Sequence, residues 1–259
     1  MAKKDIVKRR KDEVIKEAKI DGINRDDPKY QIIFKIILSV VVLLLVIVGG
    51  VSWYLEGNKN DNKATDSVKF KTEYEEYNGK KNFMDKEYLK VSISDKNIVQ
   101  YSTYDEVFSI LEGKSGVIYF GFPTCPWCRN LVPVLLDAAE DAGIDTIYYL
   151  NALEERDKKS LDENGEIVVE KEGTKEYYQL VEKLDSVLGE YEGLNDSSIK
   201  RLYFPTVVFV KDGKIVGSHI GTLDSQTDPS IPLTDEQHDE LKEILVDNMT
   251  NLITCDGAC

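Results

Sequence analysis

Residues 116–142 read GVIYFGFPTCPWCRNLVPVLLDAAEDA. Gly116 to Gly121 is a continuous apolar run, suited to a strand buried on both faces, and Pro126 to Ala142 has the pattern of a helix. Between them, Phe122-Pro-Thr-Cys-Pro-Trp-Cys128 sets two cysteines where a strand ends and a helix begins. Reactive groups in open α/β sheets collect at that edge. A helix N-terminus there offers unpaired N–H groups and about half a positive charge, which favour a thiolate over a thiol. Cys125 falls at the N-cap, Pro126 at the first helical position, where a missing donor does no harm, and Cys128 one turn later, more deeply buried. The spacing predicts disulfide exchange: Cys125 attacks a substrate disulfide, and Cys128 resolves the mixed disulfide, or the reverse sequence oxidises a dithiol. Trp127, between the two cysteines, is expected to be exposed and apolar enough to grip a substrate.

Other chemistry fits less well. Zinc needs four ligands, and beside two cysteine pairs the chain has only His219 and His238. A purely structural disulfide is a further reading. No metal and no other cofactor is expected.

The flanking sequence alternates in the same way. Ile98–Tyr101 is a short strand candidate, Tyr104–Leu111 a helix, and Thr146–Leu150 a second buried strand. Residues 152–203 interrupt with a strongly charged stretch, containing Asn164-Gly165 as a hairpin signal and a helix candidate from Thr174 to Leu188. The rhythm resumes with Thr206–Val210, a turn at Asp212-Gly213 and Ile215–Ile220. Thr234–Leu252 closes as a helix, with Thr234 and Gln237 spaced as a capping box. This order predicts a small α/β domain, with a parallel central pair and an antiparallel hairpin at its edge.

The charge distribution concerns the membrane. The 259 residues hold 33 Lys plus Arg and 47 Asp plus Glu, a net charge of −14, with 42% apolar and 31% charged residues. That excludes a polytopic membrane protein, and the acidity argues against nucleic acid as a partner. Residues 1–35 nevertheless carry 11 basic and 7 acidic side chains. They precede Ile36–Leu55, a run of 20 residues without a charge. At ~1.5 Å per residue this is about 30 Å of helix, the thickness of a bilayer core. Trp53 and Tyr54 close it, as an aromatic belt would. A cleaved signal peptide is the rival, but its apolar region would be shorter and end at small residues. The expected organisation is a basic cytoplasmic tail (1–35), a transmembrane signal anchor (36–55), a tether and short helix (56–87), a body (88–253) with an insertion (152–203), and a tail (254–259). By the positive-inside rule the body is extracytoplasmic, on a single-pass protein of the cell membrane. The tail pair, Cys255 and Cys259, reads as a small terminal disulfide or as a second redox pair exchanging with Cys125/Cys128.

These residues resemble the thioredoxin superfamily. That family has a proline five residues after its second cysteine, as Pro133 follows Cys128 here. It has a cis-proline opening a later strand opposite the cysteines, where this chain has Phe204-Pro205-Thr206. A Lys-x-Gly turn and a glycine eight residues on follow, matched by Lys211-Asp212-Gly213 and Gly221. The match covers about Ile98 to Asn248. The resemblance implies a thioredoxin-like fold, a central mixed sheet with flanking helices, carrying a charged insertion before the cis-proline strand and preceded by one transmembrane helix. It implies protein or peptide thiols and disulfides as substrates, with Phe204 and Pro205 beside the substrate backbone. Two positions depart from the family: Tyr119 stands where thioredoxins proper carry a buried aspartate, and Pro126-Trp127 replaces Gly-Pro. Anchored in this way, the chain resembles bacterial membrane-tethered thioredoxin-like proteins, some of which accompany bacteriocin transport. A membrane redox partner or an exporter is the implied partner. A non-catalytic accessory module on the same fold, serving an exporter or envelope protein, is the alternative.

Overall fold

The computed structural model describes residues 28–253, apart from the side chains of Tyr30 and of residues 45–65. The chain divides into two units, Met1–Lys59 and Asn60–Cys259. Helix α1 runs from Pro28 to Glu75, beginning in the first unit and ending in the second. Pro28 suits a first helical position because its ring fixes φ near the helical value. Its apolar side chains from Ile32 to Leu44 are exposed, and because Ile36, Ile37, Leu38 and Val40–Leu44 are nearly consecutive they cover every side of the helix. Among the described residues, no helix is long and apolar enough to cross a membrane. The second part of the charge-free run, 45–55, lies outside the described side chains.

Two boundaries differ from the sequence reading. Residues 56–66, expected to be a flexible tether, are helical within α1. No proline interrupts them, and a helix already nucleated adds one bond per residue fixed. The body does not begin near Tyr88, because Phe70 and Tyr74 of α1 are wholly buried in its core.

The second unit is built on five strands: β1 (Val99–Tyr101), β2 (Gly116–Phe120), β3 (Ile147–Leu150), β8 (Thr206–Lys211) and β9 (Lys214–Ile220). They lie in the order β1-β3-β2-β8-β9. The first three are parallel, and β2–β8 and β8–β9 are antiparallel, with Tyr119 opposite Tyr149 on one side and Val207 on the other. Asp212 and Gly213 both have positive φ, as a tight hairpin turn requires. Helix α2 (Tyr104–Gly113) connects β1 to β2, and α3 (Pro126–Asp141) connects β2 to β3. The last helix, α5 (Asp235–Ile253), packs on α3. This mixed sheet with flanking helices fits a thioredoxin-like fold.

Both faces of the sheet are covered. One carries Phe70 and Tyr74 of α1, Leu131 and Leu135 of α3, and Leu241 and Leu245 of α5. The other carries Val107 and Ile110 of α2 with residues from the insertion. The insertion holds the hairpin β4 (Lys158–Leu161) and β5 (Ile167–Lys171), helix α4 (Lys175–Lys183), a 3-10 turn (Asp185–Val187), and the short pair β6 (Gly189–Glu190) and β7 (Lys200–Arg201). Its Tyr177, Leu180, Leu184 and Leu202 are buried against Ile118, Phe120 and Val208 of the sheet. It is part of the core. Charge dominates its composition, but α4 presents Tyr177 and Leu180 at an i, i+3 spacing that makes one apolar stripe.

Capping boxes close two helix starts. Thr103 accepts from the Glu106 N–H while the Glu106 carboxylate accepts from the Thr103 N–H, a complete capping box on α2. Thr234 and Gln237 make the same exchange at α5. Thr103→Ala is expected to cost about 1 kcal/mol, seen as a lower urea midpoint with unchanged slope.

Candidate active site

Where β2 ends, the chain turns through Phe122-Pro123-Thr124 and enters α3. Cys125 is the N-cap, in extended conformation, and its sulfur accepts from the Cys128 N–H at 3.3 Å. Its carbonyl opens the helical ladder by accepting from Arg129 N at 3.1 Å. Pro126 occupies the first helical position, and Pro133 lies inside the helix. Both cysteines are free thiols; Cys125 retains 4% exposure and Cys128 none. Trp127 is half-buried, less open than its sequence suggests, because it packs against the core cluster below it.

Opposite α3, the Phe204–Pro205 peptide is cis and Pro205 precedes β8. The Cys125 thiol donates to Phe204 O at 3.6 Å. Phe204 is edge-on to Phe122 at 5.4 Å between ring centres, and Arg156 of the insertion lies over its other side at 4.9 Å. Two clefts lie at the site, one of them lined by Cys125 and the other by Trp127. One, of about 430 Å³, is lined by Phe83, Met84, Tyr88, Phe122, Cys125 and Pro229. The other, of about 710 Å³, runs past Trp127, Tyr203, Phe204, Ile220 and Leu223. Phe83 is 96% exposed at the rim of the first. The loop after Gly221 contributes to both, as its position in sequence suggests.

The two sulfurs are driven apart in acidity. Cys125 is held below the ordinary thiol value of 9.0, first by a hydrogen bond shared with Cys128, which outweighs burial, and then by the N–H groups of Cys128 and Trp127 and the charge of Arg156. Cys128 is pushed well above 9.0 by burial and by the anion it would face at Cys125. Chemically this is a nucleophile above a shielded partner thiol. Iodoacetamide is therefore expected to alkylate Cys125 of the reduced chain with a midpoint below 9.0, leaving Cys128 unmodified. The Cys125 value is depressed on folding, so its stabilisation is complete above the unfolded thiol value and disappears as pH falls through the folded one. Cys128 acts in the opposite sense, withdrawing stability as pH rises past 9.0. Urea midpoints of reduced protein across pH 6 to 10 check both signs.

Other sequence candidates are dispersed. His219 of β9 bonds Thr222 O at 2.7 Å, and His238 of α5 lies 3.6 Å from Asp137. Cys255 and Cys259 lie outside the described residues. The helix before them ends at Ile253, and Leu252 shares a cleft with Gly116 and Val117, at the start of β2, whereas Cys125 follows its end.

Three residues at the site have no motif to announce them. Tyr74 is buried in the same core cluster as Cys128, Arg129 ties the surrounding loops together, and Arg156 adds a charge from the insertion. Only Tyr74 had a signal, the Phe70–Tyr74–Tyr77 spacing of a helix face.

No protein-family model matches the chain, and no curated protein matches it. Among solved structures it is similar to thioredoxin O2 from Arabidopsis thaliana in the oxidised state, with 16% identity and a TM-score of 0.32 over 59% of this chain and 95% of that one. The fold assignment rests on strand order and register, not on that likeness.

Proposed function

We propose that this chain is a membrane-held thiol–disulfide oxidoreductase of protein or peptide cysteines, with Cys125 as nucleophile and Cys128 as resolving thiol. One observation carries the reading: the Cys125 sulfur is the capping acceptor of α3, favoured as an anion, at the mouth of a cleft, with Cys128 sealed beneath it. Phe204 and Pro205, at the head of β8, stand beside the entering substrate strand.

Hydropathy supports the anchor. Ile36–Leu55 carries no charge, and the stretch of α1 from Ile36 to Leu44 is apolar on all sides, which suits lipid better than water. The basic excess before it favours a cytoplasmic N-terminus and an extracytoplasmic site, within reach of an exporter or a membrane redox partner.

Insulin reduction and oxidation of a dithiol peptide by the full chain test the proposal. The expected result is turnover in at least one direction, lost in Cys125→Ser. If neither reaction depends on Cys125, the fold serves as a binding module instead.

A further inference from the structure

We infer that the cleft past Trp127 selects cationic substrates: it takes the lysine or arginine side chain of a polypeptide whose neighbouring cysteine reacts at Cys125. This rests on the exchange reading above and names the substrate class for it.

The cleft begins at the nucleophile. Phe204 lines it, and the Phe204 carbonyl lies 3.6 Å from the Cys125 sulfur. Trp127, inside the cysteine motif, lines it too. An extended chain advances about 3.3–3.6 Å per residue, so the side chains one or two positions from the reacting cysteine are those that reach this space.

The lining matches a long cation. Trp127, Tyr203 and Phe204 supply aromatic surface, which accepts the methylene stem of a lysine or arginine and attracts a cation to a ring face. The charged side chains of the lining are Glu190, Glu192 and Asp224, all acidic and exposed; among the described residues no lysine, arginine or histidine lines the cleft. No ion pair engages these three carboxylates among the described residues.

Both segments that carry the carboxylates are held in place. The Tyr203 hydroxyl donates to Glu190 O at 2.9 Å and accepts from the Glu192 N–H at 2.8 Å. The loop bearing Asp224 is held by Thr222 Oγ1, which donates to Gln226 Oε1 at 2.6 Å, and by Gln226 Nε2, which donates to Ile231 O at 3.0 Å. Carboxylates fixed in advance bind a cation with little further ordering, and they repel an acidic side chain.

Nearby cations decide which carboxylates act. Arg156 lies over the Phe204 ring at 4.9 Å and Arg201 over the Tyr203 ring at 5.9 Å, both outside the lining. Lys200 is the cross-strand partner of Glu190 in the β6–β7 pair. Glu192, from the insertion, and Asp224, from the loop after β9, are therefore the selecting pair.

The test uses the full chain in a non-ionic detergent, with Cys255→Ser and Cys259→Ser as parent. The probes are three short peptides whose central cysteine is a 2-pyridyl disulfide, flanked on both sides by lysine, serine or glutamate. A bond forms between the Cys125 sulfur and the peptide sulfur while the peptide sulfur–thiopyridine bond breaks. The thiopyridine takes that electron pair and a proton from water, and its absorbance reports the rate. At low salt the lysine peptide should react at least ~10-fold faster than the serine peptide, and the glutamate peptide slowest, with the spread shrinking at high salt. In the double variant Glu192→Gln with Asp224→Asn the lysine-to-serine ratio should fall below about threefold. Glu163→Gln with Glu166→Gln removes the same net charge from exposed positions between β4 and β5, outside the cleft, and should keep the ratio. Independently of turnover, a Cys125→Ser parent carrying 5-fluorotryptophan should show the Trp127 19F signal shifting on titration with the lysine peptide made with serine for cysteine, and not with its glutamate counterpart. Rates within about twofold across the three peptides, a faster glutamate peptide, a ratio that survives Glu192→Gln with Asp224→Asn, or equal loss in both double variants overturns the cleft. A parent that releases no thiopyridine from any peptide overturns the exchange reading, and the Trp127 titration then decides the cleft alone.

Discussion

Cys125→Ser is expected to lower disulfide exchange at least ~1000-fold, because the serine hydroxyl is far less acidic than a thiol and cannot form the mixed disulfide. Cys128→Ser should behave differently. Its Cys125 still sits on the α3 N-terminus with the backbone N–H of residue 128 at its sulfur, so attack proceeds. Resolution then fails, and a Cys125–substrate disulfide accumulates that non-reducing gels would display. The alkylation midpoint of Cys125 should rise in Cys128→Ala, which removes its largest stabilising contact. A Cys128→Ser protein that turns over like the parent, or a Cys125→Ser protein that traps substrate, would reverse the two assignments.

The second large effect is on stability. Arg129 has no exposed surface and no carboxylate partner among the described residues. Its Nε donates to Leu89 O at 2.6 Å, one terminal nitrogen to Tyr74 O at 2.8 Å and Pro123 O at 2.9 Å, and the other to Asn78 Oδ1 at 2.7 Å. One planar fork thus joins α3 to the end of α1, to the loop that carries Phe83, and to the turn before Cys125. Lost guanidinium donors leave buried acceptors unsatisfied, each at about 1–3 kcal/mol. Arg129→Leu is expected to destabilise by about 3–5 kcal/mol in urea unfolding. Arg129→Lys should recover only part, because an ammonium cannot present the same planar set of donors. A loss under about 1 kcal/mol would show that water or rearranged backbone replaces these bonds.

How much of this was legible varied with the range of the interaction concerned. The cysteine loop, the Asp212-Gly213 turn and the Thr234–Gln237 cap are each specified within a few residues, so their chemistry could be read directly. The Phe204–Pro205 position depended on resemblance, since most X–Pro bonds are trans. The rest involved contacts between distant segments. Phe70 and Tyr74 form a recognisable helix face, but nothing local says that it docks beneath β2. Arg129 breaks an apolar pattern and reads as solvent-facing; its acceptors are carbonyls from three other segments, which carry no sequence signal. The insertion hides its apolar stripe among charges, so its place in the second core cluster was not foreseen, nor the reach of Arg156 to Phe204.

The burial of Tyr74, with the bonds from Arg129 to Tyr74 and Asn78, has a practical corollary for excision of the catalytic fragment. A protein trimmed to start at Tyr88, where regular alternation begins, would open the core cluster that encloses Cys128 and remove half the arginine's acceptors. Limited proteolysis should instead leave a resistant piece whose new amino terminus lies upstream of Ser67, the first deeply enclosed residue of the second unit among the described residues.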